Sequence, residues 1–233
     1  MTFEILADVE AVARRAAELI AGEARAAVKA RGSFTIAVSG GRTPWLMFRA
    51  LRSLDLPWRD IHVLQVDERI APANHPDRNL THLCANLLGP PELDLPQIYA
   101  MPVESADLDL AAMSYAETLV KVAGSPPVLD LVHLGMGTDG HTASLIPGDP
   151  VLDVTDADVA LTETYQGRRR MTLTYPVLNR ARRVLWLITG ADKADMLVRL
   201  RDRDASIPAG RVRHDRAVVL ADRAAARSLE IAG

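Results

Sequence analysis

LDLVHLGMGTDGHTASLIPG, residues 129–148, is a short apolar run that ends abruptly in a glycine-rich loop. Leu129–Leu134 reads as a strand buried on both faces, because its apolar positions run nearly continuously instead of alternating. Similar runs occur at Phe34–Val38, Ile61–Val66, Met171–Tyr175, Val184–Thr189 and Ala217–Leu220. Helical patterns separate them. Asp8 to about Arg31 is a long amphipathic segment stopped at Gly32, and further helices are expected from Pro44, near Asn79–Leu88, over 108–123 and over 191–202. A last helix is expected after 217–220. Strands alternating with helices predict an α/β fold, three-layered, with a mostly parallel sheet covered on both faces. Ligands of such sheets bind beyond the carboxyl ends of the strands, so the loops that follow the strands are the ones to read for chemistry.

The 135–148 loop contains G-x-G-x-x-G, which in a dinucleotide site opens a helix packed on the strand. Pro147-Gly148 interrupts too soon after Gly140 for that helix, so a nicotinamide cofactor is rejected. What remains is a loop that presents Asp139 and His141. Glycine-rich backbone leaves His141 accessible as a general base. His62, His82, His133 and His214 are read as structural, with His133 inside an apolar strand. After Phe34–Val38 come Ser39, Gly40, Gly41, Arg42, Thr43 and Pro44. Here Thr43 is the expected N-cap and Pro44 the first helical residue, giving a helix N-terminus suited to phosphate. After Ile61–Val66 come Asp67, Glu68 and Arg69. Arg69 is the candidate cation for that phosphate, whereas Glu68 is read as a solvated loop edge. Asp67 and Asp139 are both candidates to orient His141.

Composition limits the alternatives. The chain has 233 residues, 48% of them hydrophobic, which suits a single domain spanning 1–233. One cysteine, Cys84, excludes an intrachain disulfide and a cysteine-based zinc cluster. A net charge of −3 argues against nucleic acid as a partner. The acidic residues of MTFEILADVE do not fit a signal peptide, and no apolar stretch is long enough for a membrane span. A cytoplasmic protein is therefore expected. Basic charge is nearly all arginine, since Lys29, Lys121 and Lys193 are the only lysines.

Five stretches in order resemble the 6-phosphogluconolactonase family. They are SGGRTP (39–44), VDERIAPANHPDRN (66–79), HLGMGTDGHTASLIPG (133–148), RMTLTYPVLNRARRVLWLITGADKADML (170–197) and IPAGRV (207–212). The resemblance implies a Rossmann-like fold of the sugar-phosphate isomerase and deaminase type. It also implies hydrolysis of 6-phospho-D-glucono-1,5-lactone to 6-phosphogluconate in the oxidative pentose phosphate pathway, with neither metal nor organic cofactor. By the same resemblance His141 is the general base, Arg69 and Lys193 hold the phosphate, and Arg170 is a further phosphate candidate. The expected partner is thus a small phosphosugar lactone, bound by a monomer or small homo-oligomer. Three features depart from the family pattern: Arg42, Arg78 and the run Gly167–Arg170. Glucosamine-6-phosphate deaminases share the fold and the two glycine loops, but carry a glutamate where this chain has Ile146. A non-catalytic sugar-phosphate sensor of the kind attached to DNA-binding domains would need a helix-turn-helix ahead of the first strand. The residues before Phe34 read instead as one long helix.

Overall fold

In the computed structural model, which describes residues 1–88 and 95–229, the long amphipathic segment is helix α1 (Val9–Arg31). Asp8 caps it by accepting the Ala11 N–H at 2.8 Å. Gly32 ends it in the left-handed conformation at φ 82°. Its buried stripe (Val12, Ala13, Ala16, Ile20, Ala24) follows the helical period. A strand the helix-dominated reading of the N-terminus did not anticipate, β1 (Thr2–Leu6), precedes α1.

The chain continues through β2 (Phe34–Val38), α2 (Arg42–Arg52), β3 (Ile61–Gln65), β4 (Asp67–Arg69), α3 (Asn79–Leu87) and β5 (Gln97–Tyr99). Then come α4 (Leu108–Ala123), β6 (Leu131–Leu134), β7 (Val159–Leu161), β8 (Arg170–Leu173) and α5 (Tyr175–Arg180). It closes with β9 (Val184–Ile188), α6 (Ala194–Arg201), β10 (Ala217–Asp222) and α7 (Arg223–Ala226). Among the described residues the main sheet has seven strands in the order β1-β10-β9-β6-β2-β3-β5. All its pairings are parallel.

Alternate residues of each strand serve opposite faces. Phe34, Ile36 and Val38 of β2 join Leu185 and Leu187 of β9 in one core, packed under α1 and α2. Ala37, Val184, Trp186 and Ile188 point into the other, with Tyr115 and Leu119 of α4 and Leu197 of α6. A sheet buried on both sides explains why these strands read as continuous apolar runs.

The segment 171–175 departs from the parallel-strand expectation. Its β8 belongs to a separate antiparallel sheet, β4-β8-β7, with Asp67 opposite Thr172 and Arg69 opposite Arg170. Val66 joins the two sheets: its N–H bonds Val38 O at 3.0 Å, and its carbonyl accepts the Leu173 N–H at 2.8 Å. In the main sheet β2 is followed by β3 on one side and by β6 on the other. That reversal is the switch point at which such sheets open a crevice beyond their carboxyl ends.

Candidate active site

A cleft of about 500 Å³ opens there, lined by residues from the loops after β2, β3, β6 and β9. Ser39, Gly40, Gly41, Thr43, Asp67, Arg69, His141, Arg170 and Lys193 all face it, so the fold gathers nearly every site residue named from sequence. Asp139 stands behind His141 instead of on the cleft wall.

The 135–148 loop forms no helix, in keeping with the rejected cofactor fingerprint. It closes on itself: the Gly137 N–H bonds His141 O at 2.8 Å, and the Gly140 N–H bonds Gly137 O at 3.1 Å. This tight ring brings Asp139 Oδ1 to 2.6 Å from His141 Nδ1, and the same oxygen accepts the His141 backbone N–H at 3.1 Å. Burial raises the Asp139 carboxyl, but the His141 N–H groups and the imidazole charge outweigh it and hold Asp139 below the usual carboxylate range. With Nδ1 engaged, Nε2 is the nitrogen left for chemistry. Gly137 must lack a side chain, because a Cβ there would lie 2.1 Å from His141 Nδ1 and 2.5 Å from Asp139 Oδ1.

Asp67, the other candidate partner, is occupied elsewhere. Its Oδ2 accepts the Ser144 hydroxyl at 2.6 Å, and its Oδ1 accepts Asn79 Nδ2 at 3.3 Å. It presents a fixed carboxylate to the cleft beside Arg69 and Arg170. Asn79 also lies against Gly40, where a Cβ would meet Asn79 Oδ1 at 2.1 Å.

The cationic side is built by the small sheet and the loop after β9. Arg69 and Arg170 are cross-strand partners, and the Nε atoms of both are buried without a hydrogen-bond partner. Arg69 is steadied by donating Nη1 to Asp77 O at 2.8 Å. Burial lowers the Arg170 guanidinium below its ordinary range, opposed by the nearby Asp67 charge and reinforced by Arg69. A buried Arg170 and a half-buried Arg69 side by side, each with an unpartnered Nε, favour an anion between them. Lys193 adds a third cation and rests 3.3 Å from Asp192.

The helix after β2 begins two residues earlier than expected. Gly41, at φ 126°, is the cap residue of α2, and Arg42 is its first residue. Thr43 is therefore inside the first turn, and its hydroxyl pairs with Thr189 Oγ1 at 2.7 Å instead of capping. Gly41, Arg42 and Thr43 still line the cleft, so a helix start, whose first N–H groups have no intrahelical partner, lies at its wall. Ser39 ties this loop to β6, donating Oγ to His133 O at 3.1 Å and its N–H to His133 Nδ1 at 3.3 Å. His133 is fully buried, and desolvation lowers it to about 3. His62, His82 and His214 bond Tyr99, Pro76 O and Gly210 O, with none of them in the cleft lining.

Glu68 is the main correction to the sequence reading. It is completely buried, not a solvated edge. Its carboxylate accepts the N–H groups of Arg69, Asn79 and Leu80 and the Gln65 amide, each at 2.8 Å, and pairs with Arg78 Nε at 3.1 Å. So saturated, one carboxylate fastens β4 to the start of α3. Arg78, one of the departures from the family pattern, is its buried counter-ion and also bonds Glu104 at 2.9 Å. Sequence reading also passed over Tyr165, whose hydroxyl bonds Asp139 Oδ2 at 3.2 Å, and Asp192 and Thr189, which line the cleft.

An α/β sheet whose switch-point cleft holds a carboxylate-paired histidine together with an arginine pair defines the class: a protein built to act on a small anionic ligand. Comparison with known proteins narrows this. A family profile described as glucosamine-6-phosphate isomerases/6-phosphogluconolactonase matches residues 7–220. A 6-phosphogluconolactonase from Synechocystis sp. is 38% identical over 200 residues, covering 83% of this chain and 82% of that one. A crystal structure of a 6-phosphogluconolactonase from Shewanella baltica superposes with a TM-score of 0.84 at 25% identity, over 95% of this chain and 97% of that one. A monomeric glucosamine-6-phosphate deaminase gives the same TM-score, 0.84, at 20% identity, over 98% of this chain and 100% of that one, a likeness of fold alone. The chain belongs to the glucosamine-6-phosphate isomerase/6-phosphogluconolactonase family. Among the described residues no helix is long and apolar enough to cross a membrane.

Proposed function

We propose that this protein hydrolyses 6-phospho-D-glucono-1,5-lactone to 6-phosphogluconate, with His141 moving the protons and Arg69, Arg170 and Lys193 holding the phosphate. The observation that carries the reading is the 2.6 Å pairing of His141 Nδ1 with Asp139 in a cleft faced by those three cations. The neutral imidazole keeps its proton on Nδ1, donated to Asp139, so Nε2 carries the lone pair that accepts a proton from water. The water oxygen bonds to the lactone carbonyl carbon, and the carbonyl electrons move onto its oxygen. Backbone N–H groups of a glycine-rich loop at the cleft are the donors that would stabilise that oxyanion. Collapse re-forms the carbonyl and breaks the bond to the ring oxygen, which takes the proton back from Nε2. The product is a hydroxy acid that ionises to the carboxylate. No covalent enzyme intermediate is needed. One histidine acting as base and then acid contributes about 10²–10⁴-fold.

Lactonase relatives over most of the chain support this choice over deamination, as does apolar Ile146 where the deaminase pattern has a glutamate. The reading takes the protein as one domain, working without cofactor or nucleic acid in the cytoplasm as a monomer or small homo-oligomer. A pair of substrates tests the phosphate grip. The phosphorylated lactone should be turned over with a far lower KM than glucono-1,5-lactone. Arg69→Ala and Lys193→Ala should each raise KM for the phosphorylated lactone by about tenfold or more, the scale of one charge-assisted contact. Equal KM values for the two lactones would overturn the assignment.

A further inference from the structure

Residues 162–169, between β7 and β8, lie outside the motifs shared with the family, and no step of the reaction above uses them. They fold as a hairpin. Tyr165 and Arg168 exchange backbone bonds of 3.0 and 3.2 Å. Gln166 and Gly167 at the tip have φ of 52° and 80°, the pair of positive angles that a tight two-residue turn needs to match strand twist. Nearer the sheet, the Thr162 N–H bonds Arg170 O at 2.9 Å, so that Glu163 and Thr164 stand opposite Arg169 alone. An extra residue of this kind bends a strand and re-aims the side chain that follows.

The side chain that follows is Tyr165. Its hydroxyl donates to Asp139 Oδ2 at 3.2 Å, the oxygen that His141 does not use. Its ring meets the imidazole edge-on with centroids 5.7 Å apart. The Arg170 guanidinium lies over the same ring, 5.0 Å from its centroid. Arg168, the cross-strand partner of Tyr165, anchors the hairpin by donating Nε to Asp77 Oδ2 at 2.7 Å. We propose that Tyr165 is a positioning residue for the His141–Asp139 pair, its hydroxyl fixing the second carboxylate oxygen while its ring walls the imidazole.

This rests on the lactonase reading and extends it to a residue of the chain's own hairpin. The charged groups around His141 are Asp139, bonded to it, and Asp67, Arg69, Arg170 and Lys193, which line the same cleft. Burial and then the Asp139 charge raise the Tyr165 phenol, which keeps it a proton donor throughout the working range. A hydroxyl donating to Oδ2 draws charge away from Oδ1. Its removal returns that charge to the oxygen beside Nδ1 and favours the imidazolium. The acid limb of the kcat–pH profile then moves to higher pH.

Tyr165→Phe keeps the ring, the stacking with Arg170 and the hairpin, and deletes only the donor. Freshly generated phosphorylated lactone is the probe, with wild type, Tyr165→Phe, Asp139→Asn and the double variant compared. The expected result is a kcat about tenfold lower, a KM within about twofold, and an acid limb about half a pH unit higher. In the Asp139→Asn background Tyr165→Phe should cause no further loss, since the tyrosine acts through that carboxylate. An unchanged kcat, a lowered kcat with an unmoved limb, or losses that multiply in the double variant would each overturn the proposal. Wild type without acceleration over the blank would overturn the lactonase reading with it. Active wild type with an indifferent Tyr165→Phe would remove this inference alone.

Discussion

A single methyl group at Gly137 should silence the proposed histidine with little harm to the fold. Gly137 is not among the positive-φ glycines, so alanine fits its backbone. The obstacle is in front of it. The new Cβ would lie 2.1 Å from His141 Nδ1 and 2.5 Å from Asp139 Oδ1, where ordinary contact begins at 3.4 Å. The imidazole would have to retreat by about 1.3 Å, breaking its 2.6 Å bond to Asp139. A misplacement on the order of 1 Å costs roughly 10²-fold in rate, equivalent to about 2.7 kcal/mol of barrier. Gly137→Ala should therefore lower kcat for the phosphorylated lactone about 100-fold, with KM within about threefold, because the arginines are untouched. Thermal unfolding followed by circular dichroism should shift by only a few degrees. A variant that keeps kcat within about threefold of wild type would refute the claim that the Gly137–His141 ring sets the position of the base.

Other perturbations probe the scaffold. Glu68→Ala removes the carboxylate that saturates the start of α3 and leaves Arg78 buried, with Glu104 as its remaining carboxylate partner. Breaking one side of a buried pair costs about 3–5 kcal/mol, or a Tm lower by about 10 °C in a chain of this size, readable by scanning calorimetry; a drop below about 2 °C would contradict the network. His133 is held neutral, lowered to about 3 in the folded chain, whereas the unfolded chain binds the proton at ordinary pH. The unfolded state therefore gains protons first as pH falls through about 6.5 toward 3, and stability declines by about 1.4 kcal/mol per pH unit in that window. His133→Asn should flatten that part of a denaturant-midpoint titration, and an unaltered slope would show that other groups govern it.

The sheet was legible because doubly buried strands leave unbroken apolar runs, and β2, β3 and β9 lie where those runs stand. Strand β1 was not, since it sits at the sheet edge, is partly exposed and carries Glu4 in its middle. The small antiparallel sheet was hidden for a different reason. Asp67–Arg69 is charged throughout and looks like a loop until Glu68 is seen with its buried partners, which come from residues up to 12 positions away. Loop order pointed to His141, Asp139 and Arg69, and the family resemblance added Arg170 and Lys193. The choice between Asp139 and Asp67 as the partner of Nδ1 depended on a turn closed by backbone bonds, which side-chain pattern does not encode. Tyr165 left no periodic signal at all; its position follows from an extra residue in a hairpin. Thr43 was misplaced because Thr-Pro reads as a cap and first turn, whereas Gly41 takes the cap conformation two residues earlier.

The most direct test of the central claim is lactone hydrolysis by wild type and His141→Ala on substrate made in place by glucose-6-phosphate dehydrogenase, with a protein-free blank for spontaneous opening. The account predicts that wild type accelerates 6-phosphogluconate formation well above the blank, and that His141→Ala loses about 10²–10⁴-fold of that rate while still binding the substrate. Wild-type turnover in His141→Ala would contradict it.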